Sequence, residues 1–262
     1  MSAALDHLVI NTRFDTDAAA ALFSQLGFTL TQRGYHSLGS INHLMMFAEG
    51  YLELIGLPLG TDTLRQEVLE SPQGIDGLVI ATQDPKATYA QLVRQGFLVQ
   101  PVQYFSRPVE IDGASRDARF GTVRLAPEQF AAGRVYFCHH QTPELVWRPE
   151  WLGHANGVTA VAGLTVLSEN PDQTRQQYVR LGAFDERFVL DIVDVQALAQ
   201  RFGELSNQVT QRPERFAAIT LRGADLAVLA QRAARLNLAH QVQSARVVVA
   251  IPAFETLLEF IP

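Results

Sequence analysis

The chain contains one cysteine, Cys138, in 262 residues. A lone thiol closes no internal disulfide and builds no cysteine cluster for zinc, which excludes a disulfide-stapled secreted domain. Charge is also sparse. Only 18% of residues are charged, the 21 basic residues are outnumbered by 27 acidic ones, and no basic run occurs. Binding to a phosphate backbone needs a clustered positive footprint, so nucleic acid is not expected as a partner. No stretch approaches the roughly 18 consecutive apolar residues of a membrane span. The alanine-rich segment 17–26 is too short, and no membrane partner is expected. The start, Met-Ser-Ala-Ala-Leu-Asp-His, has neither the basic nor the apolar region of a leader, so a cytoplasmic protein is the expectation. What the chain does have is 47% apolar residues, enough for a substantial core, and a length that divides into two units of about 130 residues.

Internal repetition is the most informative feature. Residues 5–28 read LDHLVINTRFDTDAAAALFSQLGF, and residues 75–97 read IDGLVIATQDPKATYAQLVRQGF. A third copy, VAGLTVLSENPDQTRQQYVRLGAF, covers 161–184, and a weaker fourth, AAITLRGADLAVLAQRAARLNL, covers 217–238. Each reads as an apolar strand, a polar turn and a helix. Asp15, Asp84 and Asn170 stand where an N-cap acceptor would satisfy free amides, with Pro85 and Pro171 next in line, where a missing N–H costs nothing. Gly27, Gly96 and Gly182 supply a left-handed stop. Three strands follow the first helix, at 28–33, 43–48 and 51–57, and three follow the second, at 99–111, 119–125 and 134–140, with Asp112-Gly113 placed for a hairpin turn. After 188–193 the third copy continues as a helical run, 195–202, so its sheet is expected to be incomplete. The fourth copy ends with strands at 245–251 and 256–261, where LLEFI echoes the YLELI of the first. The Pro, Gly and Trp residues of 147–157 mark a boundary, giving an N-terminal unit of paired modules, 1–153, and a degenerate C-terminal pair, 154–262.

LDHLVI, taken with GYHSLGSINHLMMFAEGYLELIG and FCHHQTPELVWRPEWLGHANGV downstream, resembles the glyoxalase-like group of the vicinal oxygen chelate superfamily, which also contains dioxygenases and bleomycin-resistance proteins. The resemblance implies an α+β fold of repeated βαβββ modules, with mixed curved sheets forming a cup and helices outside. It also implies a divalent metal in the cup, held by His and Glu side chains of the first and last strands of a module.

The residues themselves bear on this. His7 lies in an apolar strand, and Glu53 sits inside YLELI, where a carboxylate is costly to bury unless paired, protonated or metal-bound. Imidazole and carboxylate from separate strands suit Zn, Mn, Fe or Ni if further ligands exist. The plainer alternative is a hydrogen-bonded imidazole and a solvent-facing Glu53. Gly77 replaces a histidine in the second copy, so the third ligand is sought on the last strand of that module, where His140 is the choice over a loop histidine. His36 and Asn42 match positions near the cup mouth that orient a substrate oxygen, against ordinary turn chemistry. Arg148 and His154 either contribute to substrate binding or, with Trp147, Trp151 and Asn156, fasten the two halves together. Glu259 repeats Glu53, yet Ala218 and Gly163 stand at the histidine position of the second half, which reads as scaffold.

The metal ligands are therefore expected to be His7, Glu53 and His140, with Glu53 also catalytic, and the chemistry that of a lyase, isomerase or dioxygenase acting on a small oxygen-rich molecule. The alternative is a metal-free cup that sequesters a small molecule of antibiotic type. The partner is a small molecule in either case. Four modules can complete the cups within one chain, with a homodimer as the other arrangement.

Overall fold

A computed structural model describes residues 2–209 and 212–262. After the short β1 (Ser2–Ala3), the first module runs β2 (Leu5–Arg13), α1 (Thr16–Gln25), β3 (Gly34–Tyr35), β4 (Ile41–Met46) and β5 (Tyr51–Gly56). A one-turn helix, α2 (Gln66–Glu70), leads to the second: β6 (Gly74–Ala81), α3 (Pro85–Arg94), β7 (Gln103–Ile111), β8 (Ala114–Arg124) and β9 (Arg134–His140). Together they form one eight-stranded mixed sheet in the order β3-β4-β5-β2-β6-β9-β8-β7. In each module the first and last strands are parallel, and the two modules meet along the antiparallel pair β2 and β6. The sheet curls until its edges meet, where the Ser37 N–H donates to the Ser106 carbonyl at 3.0 Å. Alternation then sends every second side chain into a cup, lined in its apolar part by Val9, Leu44, Val79 and Phe120.

The second half holds β10 (Ala160–Leu167), α4 (Pro171–Val179), β11 (Ala183–Phe184), β12 (Val189–Val193), α5 (Val195–Phe202), β13 (Arg215–Arg222), α6 (Leu226–Arg235), β14 (His240–Gln243), β15 (Arg246–Ile251) and β16 (Thr256–Phe260). Its six-stranded sheet has the order β12-β10-β13-β16-β15-β14. As its sequence suggests, the third module replaces its last strands with α5. One apolar core, including Leu8, Ile10 and Phe23 from the first half and Phe216, Ile219 and Phe260 from the second, joins the two sheets, and β1 pairs with β11 across the same boundary.

The four copies share an irregularity invisible as such in the sequence. On β2, Leu5 faces Ile80 but His7 faces Val79, so Asp6 is an extra residue, a β-bulge. On β6 the extra residue is Asp76, on β10 it is Ala162, and on β13 it is Ala217. The bulge falls every time on the residue before the position that His7 holds in the first copy. In the first module it brings the side chains of Asp6 and His7 together.

Two local expectations need correction. Residues 28–33 form no strand: the Thr31 N–H donates to the Leu44 carbonyl while the Thr31 hydroxyl accepts from the Leu44 N–H, both at 2.9 Å, so a side chain replaces one rung of the ladder. Asp15 makes no side-chain cap on α1, whereas Asp84 accepts from the Lys86 and Ala87 amides and Asn170 from Gln173. Asp84→Ala is therefore expected to cost about 1 kcal/mol and Asp15→Ala no more than a few tenths. Denaturant unfolding of the two variants checks the difference.

Candidate functional site

The Asp6 bulge assembles the most polar part of the cup. Asp6 and His7 are both buried, at 5% and 3% exposure, and His7 Nδ1 lies 2.5 Å from Asp6 Oδ1. His140 Nε2 approaches the same carboxylate oxygen at 3.1 Å. A carboxylate can only accept, so His7 carries its proton on Nδ1 and turns Nε2 into the cup. There Nε2 faces Glu53 Oε2 across 3.6 Å and Tyr136 Oη across 3.4 Å, while the ring stacks on Tyr51 with centroids 4.3 Å apart. Burial by itself would raise the Asp6 carboxyl; the adjoining His140 and His7 rings reverse this and hold it well below the usual carboxylate range.

Glu53 is oriented by a second chain of contacts. Its Oε1 accepts from Asn42 Nδ2 at 2.7 Å, Asn42 Nδ2 also lies 3.3 Å from His36 Nε2, and His36 Nδ1 lies 2.9 Å from Ser40 Oγ. The network assigns the His36 proton to Nδ1, donating to Ser40, with Nε2 as acceptor. Burial, together with the charges of Arg65 and Arg107, lowers His36 to about 3 in spite of Glu53, so it is neutral. Burial would raise Glu53; the His7 and His36 rings and the Asn42 amide hold it below its ordinary value. These groups enclose a chamber of about 30 Å³, completed by Arg65, Arg107, Thr122 and the rings of Phe105 and Phe120.

His7, Glu53, His36 and Asn42 are thus brought together. His140 is not in the chamber: it bonds Asp6 on the far side of His7 and lies beside Trp147, with centroids 4.7 Å apart, in a larger cleft of about 580 Å³ between the two halves. Arg148 donates to Glu150 and does not reach the chamber. His154 accepts from the Thr29 amide at 3.0 Å and bonds the Met46 carbonyl at 2.9 Å, packed on Phe28 and Phe47, so it fastens the connecting segment to the first module. Glu259 is occupied by Arg201, Arg246 and Thr220. Gly77 has a packing reason, since a Cβ there would lie 2.7 Å from Val9. Sequence reasoning missed Asp6, Arg65, Arg107 and Tyr136. Asp6 had a signal in the Asp shared by LDHLVI and IDGLVI, and Arg107 in its place among Phe105, Val109 and Ile111 on one strand face.

A second donor group lies next to the chamber. Asp6, Cys138 and His140 place one ligand atom each within 4.8 Å of one another. Burial, with the charges of Asp6 and Glu53, pushes the Cys138 thiol well above its ordinary value, which favours the neutral thiol over the thiolate that binds metals.

This cup of paired βαβββ modules is the fold of the vicinal oxygen chelate superfamily. The chain belongs to the glyoxalase-like domain family, which matches residues 5–182, more than half of its length. No curated protein sequence matches it. Among solved structures, it is similar over 100% of its length, and 99% of the other chain, to a hypothetical protein from Staphylococcus aureus at 13% identity and a TM-score of 0.67. A triple mutant of 4-hydroxymandelate synthase from Streptomyces coelicolor aligns over 99% of this chain and 92% of that one, at 12% identity and a TM-score of 0.59. A xylose isomerase-like TIM barrel/4-hydroxyphenylpyruvate dioxygenase fusion protein aligns at 12% identity and a TM-score of 0.56, with 98% of this chain covering 48% of that one. At such identities the likeness is one of fold.

Two of the chamber's donors, His7 Nε2 and Glu53 Oε2, lie within reach of a single divalent ion. The 3.6 Å between His7 Nε2 and Glu53 Oε2 exceeds a hydrogen bond and is less than the sum of a metal–nitrogen and a metal–oxygen bond, about 2.0–2.1 and 2.0–2.2 Å, so one ion can touch both. Among the described residues Glu53 has no Lys or Arg in ion-pair contact to neutralise it.

The neutral His36 makes a pH prediction. Its folded value near 3 lies below the ordinary 6.5, so the unfolded chain takes up a proton that the native one refuses, and stability falls as pH drops from about 6.5 toward 3. His36→Gln is expected to make this fall shallower by up to about 1.4 kcal/mol per pH unit. An unchanged slope in pH-dependent unfolding would show that His36 protonates freely in the folded chain.

Proposed function

We propose that the chain is a metal-dependent enzyme of lyase, isomerase or dioxygenase type that acts on a small, oxygen-rich organic molecule in the N-terminal cup. The observation that carries this reading is the pair His7 Nε2 and Glu53 Oε2, buried, 3.6 Å apart and each held from behind, His7 by Asp6 and Glu53 by Asn42. A divalent ion bound by that pair supplies Lewis-acid polarisation of a substrate oxygen or, if it is iron, a place for dioxygen chemistry. The remaining roles belong to the chain. Asp6 keeps the His7 proton on Nδ1 and so leaves the Nε2 lone pair facing the chamber. Asn42 fixes the Glu53 carboxylate, the chamber's proton acceptor, and the neutral His36 fixes Asn42. Tyr136, whose hydroxyl burial keeps protonated, is a hydrogen-bond donor at the chamber wall. The walls of Phe105, Phe120 and Leu44 exclude bulk water. His140 enters this scheme as a positioning residue acting through Asp6.

A second reading, a metal-free binding cup, is favoured by one observation. The second module contributes Gly77 and Tyr136 at the register positions where the first contributes His7 and Glu53.

Elemental analysis separates the readings. Protein purified without a metal-affinity tag from cells supplied with trace metals is expected to carry close to one ion per chain. His7→Ala and Glu53→Gln should each lower that content at least tenfold, and Cys138→Ser should leave it unchanged. Loss in Cys138→Ser with retention in Glu53→Gln would move the ion to the Asp6, Cys138 and His140 group. A folded wild type that takes up no metal when it is offered would leave the metal-free cup as the better account.

A further inference from the structure

Arg107 is a buried cation that no carboxylate contacts, although the charge of Glu53 acts on it across the chamber. It lies on β7, is 3% exposed, and makes no ion pair among the described residues; its Nε and Nη2 are buried without a hydrogen-bond partner there. The other interior guanidinium of the chamber, Arg65, is paired with Glu67 at 2.5 Å. A buried, unpaired charge is expensive, and a native fold rarely keeps one unless a partner arrives from outside. The side chain is also given space. A Cβ on Gly34 would lie 2.9 Å from Arg107 Cδ and 2.3 Å from Asn42 Oδ1, so the bare glycine of β3 is what lets the arginine stem lie where it does. Arg107 lines two spaces at once: the inner chamber of about 30 Å³ with His7 and Glu53, and an outer groove of about 220 Å³ bordered by Arg33, Tyr35, Val109 and Trp151.

We infer that Arg107 is the anchor for the carboxylate of a small organic acid, whose acid group is held at the inner chamber and whose apolar or aromatic body lies in the outer groove. The sizes favour this orientation, because the chamber has room for one or two water-sized groups and not for a ring, which the groove can take. Planar bidentate pairing to a carboxylate is what guanidinium does best, and Nε and Nη2 have no hydrogen-bond partner among the described residues. The exposed ring of Tyr35 and the half-buried Trp151 give an aromatic body a stacking surface. The inference rests on the N-terminal cup being the ligand site, but not on its holding a metal.

Benzoate is the probe and benzamide, its neutral counterpart of equal shape, the control, with binding followed by ligand-observed NMR and thermal unfolding at constant chloride. Benzoate is expected to bind and raise the melting temperature, and benzamide to do neither. Arg107→Gln should weaken benzoate at least tenfold while the ligand-free variant melts no earlier than wild type, since an unpaired buried charge has been removed; Arg107→Lys should restore part of the binding. Glu53→Gln and chelator-treated wild type should bind benzoate as well or better, which keeps this test separate from that of the metal. Failure of benzoate to bind, equal binding of benzamide, or benzoate binding undiminished in Arg107→Gln would each overturn the assignment. A ligand-free Arg107→Gln that melts well below wild type would do so as well, by showing that the arginine is structural.

Discussion

The contact between Asp6 and His7 is the one on which the N-terminal cup depends. Neighbours on a regular strand point to opposite faces, and these two meet only because the extra residue of a β-bulge turns both inward. Once they meet, the rest follows. The aspartate fixes the imidazole proton, Nε2 is left to face Glu53, and Glu53 is held in turn by Asn42 and His36. Each of these groups contacts the next, while Asn42 Oδ1 and His140 Nδ1 have no hydrogen-bond partner among the described residues.

The same bulge recurs in the other three modules with different consequences. In the second, Asp76 is paired with Arg134 at 2.6 Å, so the inherited carboxylate has become part of a structural ion-pair network with Glu67. In the third and fourth, Ala162 and Ala217 occupy the bulge, which leaves the backbone bend and removes the charge. The C-terminal sheet retains Glu259, neutralised by two arginines. Repeat geometry has outlasted repeat chemistry, and among the described residues only the first module keeps a histidine and a carboxylate facing each other.

Much of this was legible in the sequence. The strand–helix repeat, the glycine stops, the proline-led helices and the degenerate third module depend on local periodicity and turn chemistry, and they stand in the structure. His7, Glu53, His36 and Asn42 were identifiable because a polar group in an apolar strand, or a matched motif, singles a residue out. Placing His140 needed more. It shares a face with Cys138 and Tyr136, yet it sits two residues beyond the chamber, and only the parallel register of β6 and β9 shows how far along the strand it lies. The shared Asp of LDHLVI and IDGLVI marked Asp6 but not its orientation, because a bulge changes which face a residue sees without altering the pattern of apolar residues. Arg107 carried only a weak signal, its place on the apolar face of β7, because a long alternating hairpin does not reveal that this face is closed by the opposite edge of the sheet.

The central claim is that Asp6 sets the tautomer of His7, and long-range proton–nitrogen NMR of the imidazole reads this directly. The structure predicts a His7 ring protonated at Nδ1 with a bare Nε2 in metal-free protein, and loss of that preference in Asp6→Ala while the fold is kept. A wild-type ring protonated at Nε2, or a tautomer indifferent to Asp6, would contradict the account.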